Sequence, residues 1–412
     1  MVRSAFVLAV AMVFPVEATA ATIGPIEPLT SPAPAGAGEP RLTVGPGRAL
    51  AMSWLEPRPS GGHRLRWALR KREWSRPVTI AEGDSFFVNW ADFPSVRWLG
   101  GNRWAAHWLW RIGDDTYAYQ VRISFSEDGG RTWQKPIVPH RDGTATEHGF
   151  VTLVPEQGGV RAFWLDGRNF VGHREDENPG PEMTLRTARV TPDGAMRDES
   201  ELDGRACDCC PTAAAATSDG VLVAYRDRSS HEIRDIALVR HERDGWSSPV
   251  PLHADAWTIA GCPVNGPALD SDRDRVAIAW FTAAADTPRV LAAWSSDGGR
   301  RFSAPIRVDD GNPLGRSGIT LLPDGGALVT WLESGKDQAR ILGRLLGAGG
   351  DRSASFTIAR TSTARASGFP QIIRVGNRVF FAWTEAGAPS QVRLAQARLG
   401  QSRELRAAPD VE

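Results

Sequence analysis

One pattern of small apolar residues and aromatics recurs along the chain at a nearly constant period. Each copy is a short apolar run that closes on an aromatic residue, and in most copies an acid follows two positions later. The seven aromatics are Trp54, Trp108, Trp164, Tyr225, Trp280, Trp331 and Trp383. Successive aromatics lie 51 to 61 residues apart, a spacing typical of repeats of one supersecondary unit.

Further strand-like runs accompany each copy. A run with a period of two follows the aromatic, as in 65–70, 119–124 and 290–294, and this alternation indicates a β-strand. Another run follows an aromatic and a proline three positions later, as at Trp74 and Pro77. About four short strands per repeat, joined by Gly and Asp turns, predict an all-β fold, a β-propeller with seven blades preferred and six possible.

The last repeat lacks a clear fourth strand. We therefore expect an N-terminal strand around 41–44 to complete the last blade and close the ring, which would remove exposed sheet edges. The propeller is predicted over 41–400. It follows a flexible lead-in at 21–40 that is rich in Pro, Gly and Ala, and precedes a C-terminal tail at 401–412.

Two segments fit the motif S-x-D-x-G-x-x-(W/F). Their motif residues are Ser126, Asp128, Gly130 and Trp133, and then Ser295, Asp297, Gly299 and Phe302. This motif is the Asp-box (BNR repeat) of the sialidase-like propeller superfamily, which the chain resembles over nearly all of its length after residue 20. The resemblance implies a structural turn between the third and fourth strands, on the face away from the ligand site. The residue types suit such a turn, because Asp caps N–H groups and Gly tolerates unusual backbone angles.

The sialidase catalytic set does not accompany this resemblance. The family has an arginine in an F/Y-R-I-P motif, and the segment Ala-Asp-Phe-Pro at 91–94 is only superficially similar. The family also has a nucleophilic tyrosine in a late blade, whereas the tyrosines here are Tyr117, Tyr119 and Tyr225. The resemblance therefore implies the fold and not sialidase activity.

The first twenty residues predict export from a bacterial cell. Arg3, an apolar run at 5–16 and the sequence Ala-Thr-Ala at 18–20 are typical of a signal peptide that is cleaved near Ala20. No apolar run is long enough for a membrane span, so we expect a periplasmic or secreted protein. The 48 basic and 48 acidic residues balance, and the charge gives no reason to expect a nucleic-acid partner.

The cysteines are the most distinctive candidate site. Cys207, Cys209 and Cys210 lie within four residues, and Cys262 follows Cys210 after 52 residues, close to one repeat period. Interblade loops of a propeller open on the channel mouth, so the four sulfurs are expected to meet there. Exported proteins rarely keep free thiols without a function.

Three chemistries remain open for this cluster. A Cys209–Cys210 disulfide would be strained, because adjacent Cα atoms are only about 3.8 Å apart. The unstrained fully oxidised pairings are Cys207–Cys210 with Cys209–Cys262, or Cys207–Cys209 with Cys210–Cys262. Four thiolates also suit Cu(I) or Zn(II), with His148 or His231 as a further ligand. A reactive or redox-active thiol is the third option.

Other polar residues are predicted at the same mouth. The candidate catalytic acids, as a glycosidase pair or as structural braces for an arginine, are Asp92, Asp166, Asp227, Glu333 and Glu385, and Glu56 shares their repeat position. The candidate ligand-binding residues are Asp92, His148, Arg168, Arg226, His231, Asn265 and Arg316. Five carboxylates allow an acid pair without selecting one.

The leading functional hypothesis is a binding protein whose channel mouth presents the cysteines and acids to a soft metal ion, Cu or Zn, or to a small ligand. The alternative is a glycan-active hydrolase that uses paired carboxylates. A further alternative is a scaffold for protein partners in which the disulfides are purely structural.

Overall fold

The described residues form a closed ring of seven antiparallel sheets. The computed structural model describes residues 21–172, 180–336 and 338–401. Six sheets are built from strands that are consecutive along the chain, and the seventh joins the last strands to two N-terminal ones. The innermost strand of each sheet contacts the innermost strands of its two neighbours all the way round. The predicted β-propeller is therefore confirmed, with seven blades. The predicted signal peptide and residues 402–412 lie outside the described part of the chain.

The strand bounds are as follows. Blade 1 contains Gly38–Val44, Leu50–Pro57, His63–Arg70 and Val78–Gly83; blade 2 contains Ser95–Gly100, Arg103–Arg111 and Tyr119–Ser126. Blade 3 contains His148–Glu156, Gly159–Asp166, Thr184–Val190 and Met196–Asp203; blade 4 contains Ala213–Ala216, Val221–Arg226, Ile236–Glu242, Gly245–Trp246 and Val250–Pro251. Blade 5 contains Ala268–Asp272, Arg275–Thr282, Arg289–Ser295 and Ile306–Arg307; blade 6 contains Pro313–Leu321, Ala327–Glu333, Ala339–Leu346 and Phe356–Thr361. Blade 7 contains Gln371–Val375, Arg378–Glu385 and Gln391–Gln401, joined by Ala21–Ile23 and Glu27–Leu29.

Short 3₁₀ turns occur at Pro46–Arg48, Arg168–Phe170, Ala284–Asp286 and Arg365–Ser367. Within the described ranges, no helix has the length and apolar character needed to cross a membrane.

The repeated aromatics occupy the interfaces between blades. Trp164 of blade 3 packs in one cluster with Tyr119 and Val121 of blade 2, and Trp331 of blade 6 packs with Ala277 of blade 5. Both indoles are fully buried. Each blade thus covers an apolar face of the preceding one, which explains why the aromatic recurs once per repeat.

The segment that closes the ring is not the predicted one. Residues 41–44 belong to Gly38–Val44, the innermost strand of blade 1. The outer edge of blade 7 is instead covered by Ala21–Ile23 and Glu27–Leu29, which pair antiparallel with Gln391–Gln401. Both strands lie in the segment predicted to be a flexible lead-in. N-terminal strands do complete the last blade, as predicted, but they are not residues 41–44. Those residues lie in the first strand of blade 1, which is already a complete four-stranded sheet.

The Asp-box turns follow the third strands of blades 2 and 5. Asp128 Oδ1 accepts hydrogen bonds from the backbone N–H groups of Arg131 (2.9 Å) and Thr132 (3.0 Å), and Ser126 Oγ accepts one from Gly130 N (2.9 Å). Asp297 and Ser295 make the equivalent bonds in blade 5, where Phe302 packs on the core. These hydrogen bonds lower the pKa of Asp128 far below its ordinary value.

Each Asp-box also docks on the preceding blade through its second glycine. The Trp67 indole N–H of blade 1 donates to the carbonyl of Gly130 (3.1 Å), and Trp133 lies edge-on to Trp67. A Cβ atom on Gly130 would lie 1.9 Å from Trp67 Cζ2, and one on Gly299 would lie 2.6 Å from Leu222 Cδ2. The glycine is therefore required for contact between blades as well as for the turn.

We expect Gly130→Ala to lower the free energy of unfolding by about 3 kcal/mol, since it adds a clash in a packed interface to the strain of a positive φ. Gly129→Ala is the matched control. Gly129 has the same φ of 78°, but a Cβ atom there meets nothing within 4 Å. Its expected loss is about 1 kcal/mol. Urea unfolding of both variants measures the difference, and equal losses would contradict the docking role.

Candidate functional site

The three clustered cysteines lie in the loop that leads into blade 4. Cys207 Sγ is 3.6 Å from Cys210 Sγ and 3.8 Å from Cys209 Sγ, and all three sulfurs lie within 4.8 Å of one another. The backbone N–H of Cys207 donates to Arg226 O (3.0 Å), which holds the start of the loop against blade 4. Cys207 and Cys210 are buried, whereas Cys209 is half-buried. The loop therefore turns three sulfurs toward one point.

Hydrogen-bond donors surround the two buried sulfurs. Arg234 Nη1 donates to Cys207 Sγ (3.2 Å), and the backbone N–H of Asn265 donates to Cys210 Sγ (3.4 Å). Hydrogen bonds from Cys209 and Cys210, followed by the charge of Arg234, hold the pKa of Cys207 well below its usual range. Hydrogen bonds with Cys207, Cys210 and Cys262 raise the pKa of the Cys209 thiol. The cluster thus favours a thiolate on Cys207.

Cys262 reaches the cluster from the next interblade loop. Its Sγ lies 3.4 Å from Asp208 Oδ1, and Cys262, Asp208 and Cys209 form a second group whose ligand atoms are within 4.8 Å of one another. Cys209 belongs to both groups. The four sulfurs therefore occupy one continuous site, although Cys262 is exposed and lies at its edge.

A cavity of about 580 Å³ opens beside Cys209 and Cys262. Its walls combine apolar and aromatic side chains with the acids Asp115, Glu147 and Asp208. The lining residues are Asn89, Trp90, Ala91, Asp115, Tyr117, Ala145, Thr146, Glu147, Phe150, Phe170, Asp208, Cys209, Cys262, Val264 and Arg365. The walls come from the starts of first strands, the loops before them and the loops between second and third strands, all of which open on one face, whereas the Asp-boxes follow the ends of third strands. The cavity and the Asp-boxes are therefore on opposite faces of the ring.

Two carboxyl groups with raised pKa values lie in or behind this cavity. Tyr119 donates its hydroxyl to Glu147 Oε1 (2.6 Å), and burial raises the pKa of Glu147 to about 7. Burial raises the pKa of Asp92 to about 8, although its Oδ2 accepts a hydrogen bond from Phe150 N (2.6 Å). Asp92 is not among the lining residues. It fixes the start of blade 3, a structural contact that the sequence did not reveal.

Three of the five acids at the ends of the second strands are turned into the protein. Glu56, Asp166 and Glu333 each accept a hydrogen bond from the indole of the tryptophan two residues earlier, at 2.9, 2.7 and 2.6 Å. Asp227 follows a tyrosine instead, and Glu385 pairs with Arg393 in an exposed ion pair. Among the described residues that line the cavity, none is one of these five acids.

Asp166 belongs to a buried network of charges at the start of blade 3. Arg168 donates to both of its oxygens (2.8 and 2.7 Å), and His148 Nε2 lies 3.6 Å from Oδ1. His148 also bonds Asp142 Oδ2 (3.2 Å), and its ring stacks on His140 at 3.8 Å. Sequence reasoning proposed Arg168 as a brace but missed Asp142 and His140, because these two residues lie in a loop without a repeat signature.

The other proposed ligand-binding residues lie away from the cavity walls or are engaged in bracing. Arg226 is buried and donates to the carbonyls of Asn265 (2.8 Å), Phe281 (2.7 Å) and Arg234. Arg316 donates to two carbonyls of the following interblade loop, and Asn265 Oδ1 accepts the Arg316 N–H (2.7 Å). His231 is exposed and belongs to neither cysteine group. The side chains of Arg226 and Arg316 therefore donate their hydrogen bonds to backbone carbonyls and act as braces of the fold.

Comparison with known proteins supports the fold. The sequence matches no protein-family profile and no curated protein. The structure is similar to the polysaccharide lyase Uly1 (TM-score 0.51, 10% identity, 87% of this chain and 89% of that one). It is also similar to a protein of unknown function from Dyadobacter fermentans (0.49, 16%, 89% and 95%) and to the Hadza microbial sialidase Hz136 (0.45, 12%, 82% and 73%). The similarity to Uly1 is one of overall fold, which is all that such an identity shows.

Proposed function

We propose that this protein binds one soft metal ion, Cu(I) or Zn(II), at the cluster of Cys207, Cys209 and Cys210. The spacing of the sulfurs carries the proposal. Two thiolates that each lie about 2.3 Å from a tetrahedral metal ion are about 3.8 Å apart. The observed separations of 3.6 and 3.8 Å match this value. Soft thiolate ligands favour these two metals over hard cations.

The surroundings of the cluster suit bound thiolates. The guanidinium of Arg234 and the N–H of Asn265 donate to sulfurs at 3.2 and 3.4 Å, and such outer contacts orient metal ligands and stabilise their negative charge. Three protein sulfurs leave a fourth position. Cys262, Asp208 or a small ligand from the cavity can fill it, because Cys209 borders both the cluster and the cavity.

The competing functions have less support. A disulfide requires a sulfur separation of about 2.05 Å, well below the 3.6 Å that separates Cys207 Sγ from Cys210 Sγ. A glycan hydrolase would have to draw its acid pair from Asp115, Glu147 and Asp208, since among the described residues none of the five acids at the ends of the second strands lines the cavity. We propose the metal site within an exported protein, as the N-terminal sequence predicts.

Metal analysis and thiol titration of the same preparation test the proposal. Protein purified without oxygen and without added reductant is expected to contain about one Cu or Zn ion per chain. Removal of the metal with a competing chelator should expose four titratable thiols. Reduced, metal-free protein should then take up one equivalent of Cu(I) or Zn(II). Four oxidised cysteines, together with no uptake after reduction, would contradict the proposal and favour structural disulfides.

A further inference from the structure

A second, separate cavity lies in the central channel of the propeller. Its volume is about 170 Å³, and its walls come from the innermost strands or the loops that precede them in all seven blades. It adjoins a wider cavity of about 370 Å³ on the same axis, and the two share Arg41 and Arg97 in their walls. The metal site proposed above borders a different cavity.

The guanidinium groups of Arg41 and Arg97 face this channel without a carboxylate partner in the part of the chain that the structure describes. Arg97 donates only to the backbone carbonyls of Leu153 (3.2 Å) and Val96 (3.4 Å). Arg41 contacts the ring of Phe93, with its guanidinium carbon 5.3 Å from the ring centroid. Two half-buried cations thus share the wall of one small cavity.

The nearest acids do not neutralise them. Glu39 is on the same strand as Arg41, yet burial alone raises its pKa to about 7, the opposite of what a neighbouring guanidinium would cause. Asp270 borders the wider cavity, but its oxygens accept hydrogen bonds from Leu321 N (2.8 Å), Thr320 Oγ1 (3.0 Å) and Ser271 N (2.9 Å). The positive charge that acts on the pKa of Asp270 is that of Arg374.

The desolvated cations affect one another and their surroundings. Burial and the charge of Arg97 lower the pKa of Arg41 to about 9, and burial lowers that of Arg97 to about 10. Burial and both arginines lower the pKa of His107 to about 3. Ser317 Oγ, in the wall of the 170 Å³ cavity, is buried and makes no hydrogen bond within the described residues. Two half-buried cations without a carboxylate partner and an unused buried hydroxyl donor are costly unless an acceptor binds them.

We propose that the channel binds one small inorganic anion, a halide or a tetrahedral oxoanion, between Arg41 and Arg97. The chemistry fits, because guanidinium forks and a hydroxyl group donate hydrogen bonds and offer no acceptor of equal strength. The size also fits. A space of 170 Å³ corresponds to about five or six water molecules, which is enough room for such an ion.

The test replaces a large anion with a small one at constant ionic strength. Sodium gluconate, whose organic anion is much bulkier than a halide or sulfate ion, is exchanged stepwise for sodium bromide or, in a second series, sodium sulfate. The midpoint of thermal unfolding of the native protein is expected to rise by about 3 °C or more in at least one series. Arg41→Gln and Arg97→Gln should lose this rise, whereas Arg103→Gln, at an exposed position, should keep it.

Two results would overturn the proposal. Equal rises in all variants would indicate a general salt effect, and no rise in the native protein would indicate no binding. A crystal grown in bromide supplies a measurement that does not depend on how the variants fold. An anomalous peak between the two guanidinium groups is expected, and its absence would contradict the site. The series that produces the rise, bromide or sulfate, distinguishes a halide from an oxoanion.

Discussion

Replacement of Cys207 with serine is expected to lower the affinity for Cu(I) or Zn(II) by at least 100-fold. Cys207 contacts both other sulfurs of the loop and accepts the hydrogen bond from Arg234, so its loss removes a ligand and the partner of the Arg234 guanidinium together. Loss of a hydrogen bond to a metal ligand alone typically costs about 10 to 100-fold in metal affinity. Competition with a chromophoric chelator measures the change.

Cys262→Ser is the matched control. Cys262 is exposed and lies in the second group, with Asp208 and Cys209. If the metal is held by the three sulfurs of the loop, this variant should lose less than about 10-fold, because Asp208 or water can take the fourth position. A Cys262→Ser loss as large as that of Cys207→Ser would instead indicate a four-sulfur site. A native Cys209–Cys262 disulfide would appear as one additional free thiol in the same variant.

Arg234→Met tests the effect of the guanidinium on metal affinity separately from that of the sulfur ligands. The variant retains all four sulfurs but removes the donor at 3.2 Å from Cys207. We attribute stabilisation of negative charge on the cluster to this donor, so its removal should weaken binding by less than the loss of Cys207. An unchanged affinity would show that the hydrogen bond positions the loop without affecting the metal.

Much of the fold could be predicted because its signal is repeated. The aromatic of each second strand fills the same interface, so seven copies of one weak pattern reinforce one another. The ring closure could not be predicted in the same way. Ala21–Ile23 and Glu27–Leu29 have three residues each, and Pro28 interrupts one of them. Their pairing with Gln391–Gln401 depends on the partner edge, which the local sequence does not encode.

The location of the cysteines followed from the repeat, whereas the roles of the acids did not. Loops at fixed positions in successive blades must open on one face, so Cys207 and Cys262 were expected together. An acid two residues after a tryptophan is on the same side of a strand, and this spacing is the available signal for the indole contact of Asp166 and Glu333. The contacts of Arg234 and Glu147 depend on loop conformation, for which the sequence offers no periodic signal.

Asp166→Ala is expected to lower the free energy of unfolding by about 3 to 5 kcal/mol, the range for removing one partner from a buried ion pair. Asp166 is fully buried and accepts hydrogen bonds from Trp164 and Arg168. Burial would raise its pKa, but Arg168 and the charge of His148 together lower it. Without this carboxylate, the indole N–H and two cations lose their shared acceptor.

Glu385→Ala tests whether the expected decrease in the free energy of unfolding depends on position in the repeat or on burial. Glu385 occupies the same repeat position, but it is 45% exposed and contacts an exposed arginine, so the expected change is within about 0.5 kcal/mol. Equal losses in the two variants would contradict the network.

The measurement is best made near pH 5.5. The pKa of Asp166 is lowered in the folded protein. Its contribution to the free energy of unfolding is therefore fully present above about pH 4 and is lost as the pH falls. The pKa of His148 is raised, since Asp142 and Asp166 outweigh its burial, so its contribution is full below about pH 6.5 and disappears as the pH rises. If Asp166 acted as a catalytic acid rather than a brace, its replacement would leave stability nearly unchanged in this window.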